Sequence, residues 1–160
     1  MIDLMIENLL SEVKKLHQRH ELAGSVGSDY FEPGMMEYLE YSNGIYDETA
    51  GEIILCFESR GTRYDGRTEQ IEKVREGDDV RVVRDEVNLY NNNNFRLLTK
   101  KGKDVGNMPA ELCNAIAPLY DTGRVKISEA TVSYVEPLSK RNRHAKQAVL
   151  FIRMKLKLTR

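Results

Sequence analysis

The sequence has no tryptophan, 2 cysteines and 4 prolines in 160 residues, and almost no net charge, −1 from 24 Lys and Arg against 25 Asp and Glu. Each shortage excludes something. Cys56 and Cys113 have no second Cys or His at metal-ligand spacing, so neither a disulfide scaffold nor a zinc motif is expected, only two buried reduced thiols. No run of about 18 apolar residues occurs, as a membrane span would need. The first residues alternate acids with Leu and Met, unlike a secretory leader. A soluble, cytoplasmic protein with no membrane partner is the expectation. His17 and His20, three apart on an expected helix, read as surface, and His144 has no Ser or Cys to activate.

The near-neutral total conceals an asymmetry. Residues 1–60 hold four bases against twelve acids, and residues 61–160 hold twenty against thirteen. Beyond Glu136 stand Lys140, Arg141, Arg143, Lys146, Arg153, Lys155, Lys157 and Arg160 with no acid among them. Such a surface concentrates phosphates. It would equally serve as a solvated face or dock on the acidic N-terminal part, and both readings stand.

Ile2, Met5, Ile6, Leu9, Leu10, Val13 and Leu16 recur three and four apart, which predicts an amphipathic helix whose stripe covers either the domain behind it or a second copy. The Gly-, Ser- and acid-rich stretch Gly24–Gly34 reads as a linker, and Asn43-Gly44 as the turn of a hairpin. Glu52–Phe57 reads as a buried strand, Arg67–Arg75 as a short helix, and Asp79–Arg84 as a half-buried strand. Phe95–Thr99 and Asp104–Gly106 pair across a lysine-rich turn, a helix opens at Pro109, and two long strands close the chain. No βαβ regularity appears. The pattern predicts an α+β fold: an antiparallel OB-like small β-barrel with two short helices, over residues 51–160, preceded by an appendage of helix, linker and hairpin over 1–50.

Two clusters carry chemistry. Gly61-Thr62-Arg63-Tyr64 follows an apolar strand and presents a guanidinium beside an aromatic ring. Arg84 and then Asn88-Leu89-Tyr90-Asn91-Asn92-Asn93 follow another strand. Arginine for phosphate, tyrosine rings as stacking plates and amides for a base edge or sugar hydroxyl form a set able to grip an unstacked nucleotide. The same residues would also serve as core-rim tyrosines and plain turns, and spacing alone does not choose.

With Gly106-Asn107-Met108-Pro109 and Ala117-Pro118-Leu119, these blocks stand in the order seen in a known family. From about Ile53 to Leu158 the sequence resembles the HIRAN domain, found on DNA-repair helicase-like translocases and as stand-alone bacterial and phage proteins. The resemblance implies an OB-like barrel that binds single-stranded DNA, capturing a 3′ end between two tyrosines. It implies that Arg63 contacts the terminal backbone, that Tyr64 and Tyr90 sandwich the last base, and that Asn88 hydrogen-bonds near it. Asn91 stands where the family carries an acid, and Asn107 where it often carries His or Tyr, so both would act as uncharged partners.

The expected function is therefore non-catalytic binding of single-stranded nucleic acid, DNA favoured, without metal or cofactor. The site would be Arg63, Tyr64, Asn88, Tyr90, Asn91 and Asn107, with Arg84, Arg153, Lys155 and Lys157 as backbone contacts. Two rivals remain: an adaptor that binds a partner protein or a second copy through the 1–22 helix, and a metal-dependent nuclease using Asp78, Asp79 and Asp85.

Overall fold

The computed structural model describes residues 4–26, 46–47 and 50–159. In chain order the elements are α1 (Leu4–Val26), β1 (Tyr46–Asp47), β2 (Glu52–Glu58), α2 (Arg67–Ile71), β3 (Val80–Asp85), β4 (Asn94–Thr99) and β5 (Asp104–Asn107). They continue with α3 (Ala110–Asp121), β6 (Val125–Glu136), a 3-10 turn at Leu138–Lys140 and β7 (Val149–Leu158). α1 runs past Gly24, where a linker was expected. The rest of that linker, the Asn43-Gly44 hairpin, Ile2 and the side chains of His17 and His20 lie outside the described residues.

The α+β character holds, but the expected barrel does not form. The strands make two antiparallel sheets, one in the order β1-β2-β7-β6 and one in the order β3-β4-β5, and neither closes. A barrel would require β3 to run along β6 as a continuous ladder. Among the described residues the chain just before β3 meets β6 through one bridge, Asp79 with Thr131, flanked by the Gly77 N–H donating to the Val132 carbonyl and the Val132 N–H to that of Asp78, and the other seam is one bridge, between Arg60 and Asn107. Closure fails where β6 is irregular: its register with β7 shifts between Ile127 and Glu129 and again between Val132 and Tyr134. A bulge bends the strand that carries it and ends pairing on its outer edge. An open cleft of about 680 Å³ therefore lies between Val80–Val83 of β3 and Lys126–Ala130 of β6.

Alternation decides which side of each strand is core. In β7, Ile152, Met154 and Leu156 are buried while Arg153, Lys155 and Lys157 face outward. Their inward neighbours join Leu55 and Phe57 of β2, Phe95 and Leu97 of β4, and Leu112, Ile116 and Leu119 of α3 in one core. The helical stripe is spent on that same core. Leu9, Val13 and Leu16 are at most 2% exposed, and α1 packs against α3 and β2. Those three residues cover the chain's own domain, and Leu4 and Met5 of the first turn remain exposed. α3 continues through Pro118 to Asp121, two residues beyond the Ala-Pro-Leu block. Both cysteines are buried thiols, and burial pushes the Cys113 thiol up to about 11.

Candidate functional site

The site begins at the seam between the sheets. Arg60 and Asn107 exchange backbone hydrogen bonds, N to O at 2.8 and 2.9 Å, which sets the exit of β2 against the end of β5. Their approach depends on Gly106, whose φ of +126° suits glycine and where a Cβ would lie 2.0 Å from the Ser59 hydroxyl and 2.8 Å from the Arg60 carbonyl. Past the seam the chain turns at Gly61 (φ +72°) into the Arg63-Tyr64 loop, and Arg67 fixes that loop from beneath. The Arg67 guanidinium is only 8% exposed, forms a forked pair with the Asp104 carboxylate at 3.0 and 3.2 Å, and donates to the Gly61 carbonyl. The Thr68 hydroxyl donates to the Thr62 carbonyl, and Thr62 donates to that of Ala148. On this platform Tyr64 is 61% exposed, with the Arg63 guanidinium carbon 5.9 Å from its ring centroid.

The β3–β4 connection is built by its own amides. The Asn88 carbonyl oxygen accepts from the backbone N–H of Tyr90 and of Asn91, at 3.0 and 3.1 Å, a side-chain mimic of a turn. The Asn88 Nδ2 donates to Asp85, so its amide shapes the loop before it can read anything. The Asn91 oxygen accepts from the Asn93 N–H, and the Asn91 and Asn93 amides both donate to Asn114 of α3. The result is a pinned loop whose apolar side chains face water: Val87 is 82%, Leu89 95% and Tyr90 97% exposed. Large apolar groups held that far out by ordered hydrogen bonds are what a binding surface requires.

Asp85 anchors the network. Burial pushes its carboxyl upward, but hydrogen bonds from Asn94 and Asn88 and the Arg96 guanidinium outweigh that, and the net position is below the usual carboxylate range. Arg84 holds the Asp121 carboxyl low in the same way. A carboxylate lowered in the folded state adds stability that is fully present above its unfolded value near 4 and is lost as pH falls through the folded value. Urea midpoints at about pH 7 and about pH 3 should therefore show an acid-side loss that Asp85→Asn reduces. An identical loss in the variant would contradict this role for Asp85.

Seam and loop together enclose an open groove of about 500 Å³, lined by Arg60, Asn88, Tyr90, Asn91, Asn94, Asn107, Met108, Ala110 and Glu111. Four of the six expected site residues, Asn88, Tyr90, Asn91 and Asn107, line it, whereas Arg63 and Tyr64 stand outside its lining. The Asn107 oxygen accepts from the buried Asn94 at 2.9 Å, which pins the Asn107 side chain at the groove wall.

The expected backbone contacts are placed elsewhere. Arg84, 14% exposed, pairs with Asp121 at 3.0 Å, donates to the carbonyls of Asn92 and Asn94 and lies over the Phe95 ring, so its donors are engaged within the fold. Arg153 and Lys155 share Glu129, at 3.9 and 3.7 Å, and neither they nor Lys157 line the groove. Sequence reasoning missed five of the groove residues, Arg60, Asn94, Met108, Ala110 and Glu111, and of these Arg60 is the cation. It stands one residue before the Gly61 turn, on an exposed strand exit, and that adjacency was the available signal. Among the described residues no group of three or more His, Cys, Asp or Glu side chains could hold a metal ion, and Asp78 instead accepts from the Arg75 N–H.

Comparison with known proteins adds the family. No curated protein matches the chain. Among solved structures it is similar to the HIRAN domain of human HLTF, with 23% identity, TM-score 0.47, and coverage of 67% of this chain and 81% of that one. A protein from Lactobacillus plantarum aligns at 19% identity and TM-score 0.47, over 67% of this chain and 99% of the other. The HLTF HIRAN domain in its DNA-bound conformation aligns at 24% identity and TM-score 0.43, over 64% and 73%. The HIRAN domain family itself matches residues 55–155, a span that takes in the seam, both loops and the groove. The chain belongs to the HIRAN domain family.

Proposed function

We propose that the chain binds single-stranded nucleic acid, with DNA favoured, in the groove between Arg60, Asn107 and the Tyr90 loop. HIRAN domains are non-catalytic nucleic-acid-binding modules, and membership of the family supports that general role here. The observation that carries the finer reading is Tyr90, a ring 97% exposed on a loop held by its own hydrogen bonds. A rigid, exposed ring loses little entropy when a base stacks on it. Asn107 and Asn91 then offer uncharged donors and acceptors to base edge or sugar, and Arg60 supplies the cation for the adjacent phosphate. Arg63 and Tyr64, stacked on each other beyond the groove, would meet the next nucleotide or close over a terminal base once it is seated. With an amide at position 91 instead of an acid, recognition of a terminal 3′ hydroxyl would be weaker than a carboxylate provides.

The test is a titration of labelled single strands by fluorescence anisotropy across a salt series. Tyr90→Ala should cost about 1–3 kcal/mol, roughly 5- to 150-fold in affinity. The thermal midpoint should stay unchanged, because the ring packs on nothing. Log affinity should fall linearly with log salt, by about 0.7 per phosphate neutralised. Strands ending in a 3′ hydroxyl, in a 3′ phosphate or as a blunt duplex separate end capture from general strand binding. Unchanged affinity of the variant, or no response to salt, would refute the assignment.

A further inference from the structure

A third concavity lies at the opposite end of the β4–β5 hairpin from the groove, about 17 Å from the Asn94 end if five residues rise roughly 3.3 Å each. It has a volume of about 240 Å³ and is walled by Val74, Val80, Val105, Val132 and Leu150. Its rim carries Lys73 from the turn after α2 and Lys100, Lys101 and Lys103 from the hairpin turn. All four lysines are exposed, and none makes an ion pair or a side-chain hydrogen bond among the described residues. Two acids, Asp78 and Asp79, share the rim, so its formal balance is four positive charges against two negative, and Asp78 also accepts from the Arg75 N–H. The place is an aliphatic hollow under an excess of unpaired positive charge.

We propose that this hollow docks an acidic peptide segment of a partner protein, inserting one large apolar side chain while its carboxylates meet the lysine rim. The two features favour that occupant together. A nucleic acid would satisfy the lysines, but no aromatic ring lines the hollow and a base would find nothing to stack on. Apolar anchors in small pockets carry most of the affinity of such contacts, and rim charges govern approach and choice of partner. Because hollow and groove lie at opposite ends of one hairpin, both can be filled at once.

The probe is a fluorescein-labelled peptide of about twelve residues, rich in Asp, Glu and Ser with one central Phe, titrated with the whole chain. Saturable binding is expected, weakened at least about tenfold by Phe→Ser in the peptide. In the protein, the paired charge reversals Lys73→Glu and Lys101→Glu should weaken it by a similar factor while leaving single-strand affinity within about twofold. These are solvent-facing positions, so the variant should keep its circular dichroism and thermal midpoint. Absence of peptide binding would overturn the proposal, as would equal affinity for the Phe and Ser peptides. Loss of single-strand affinity in the lysine variant, or displacement of the peptide by an oligonucleotide, would instead identify the rim as a phosphate track and also overturn it.

Discussion

Replacing Asp104 with alanine is expected to cost about 3 kcal/mol, the low end of the range for removing one partner of a buried ion pair, because Arg67 is buried while Asp104 itself is 26% exposed. The reason lies in what remains. Arg67 is 8% exposed, cannot shed its charge, and would retain only the Gly61 carbonyl and a long 3.6 Å approach to the exposed Asp65. The Gly106 N–H would also lose its acceptor, Asp104 Oδ1 at 3.0 Å. Removing both charges is a different matter. Arg67→Met with Asp104→Leu should recover much of the loss, since an apolar pair of similar volume avoids the uncompensated charge. Urea denaturation of the single and double variants measures both. A single variant as stable as the parent would show that the pair does not hold the Arg63-Tyr64 loop.

Gly106→Ala is expected to be nearly as damaging, about 2–5 kcal/mol from overpacking plus backbone strain. One methyl placed 2.0 Å from the Ser59 hydroxyl and 2.8 Å from the Arg60 carbonyl must push the end of β2 away from β5. The Ser59 hydroxyl is itself fixed, donating to the Val105 carbonyl at 2.9 Å, and the φ of +126° adds a conformation that alanine resists. The bridge between Arg60 and Asn107 should open first. Binding at the groove would then fall more than global stability alone explains, and comparison of affinity well below the melting range separates the two effects. A variant with parent-like melting and parent-like affinity would mean that the seam tolerates spreading.

Much of this arrangement was legible in the sequence, and the reason differs by element. β7 declared itself because each basic residue alternates with an apolar one, and only one register buries Met154 and Leu156. The β4–β5 hairpin and α3 were legible from turn and start signals that act within a few residues. Barrel closure was not, because it depends on how the edges of β3 and β6 meet, and the bulges that part them leave no mark on alternation. The same limit governs the arginines. Arg67 with Asp104 and Arg84 with Asp121 are each separated by 37 positions, so spacing could not tell which guanidinium was already engaged. Arg63 and Arg84 read alike in the sequence, yet the structure exposes the first and ties down the second. Tyr90 was legible as a candidate, but its exposure depends on the Asn88 turn and the Asn114 clasp.

The family match begins at residue 55, but the apolar interior does not. Leu9, Val13 and Leu16 reach it from some forty residues upstream and close one side of α3 and β2. A fragment trimmed to the matched span would bare the aliphatic surface those three side chains now cap. Its insolubility would say nothing about the recognition groove, and any shortened version intended for ligand work needs that helix kept or a substitute lid supplied.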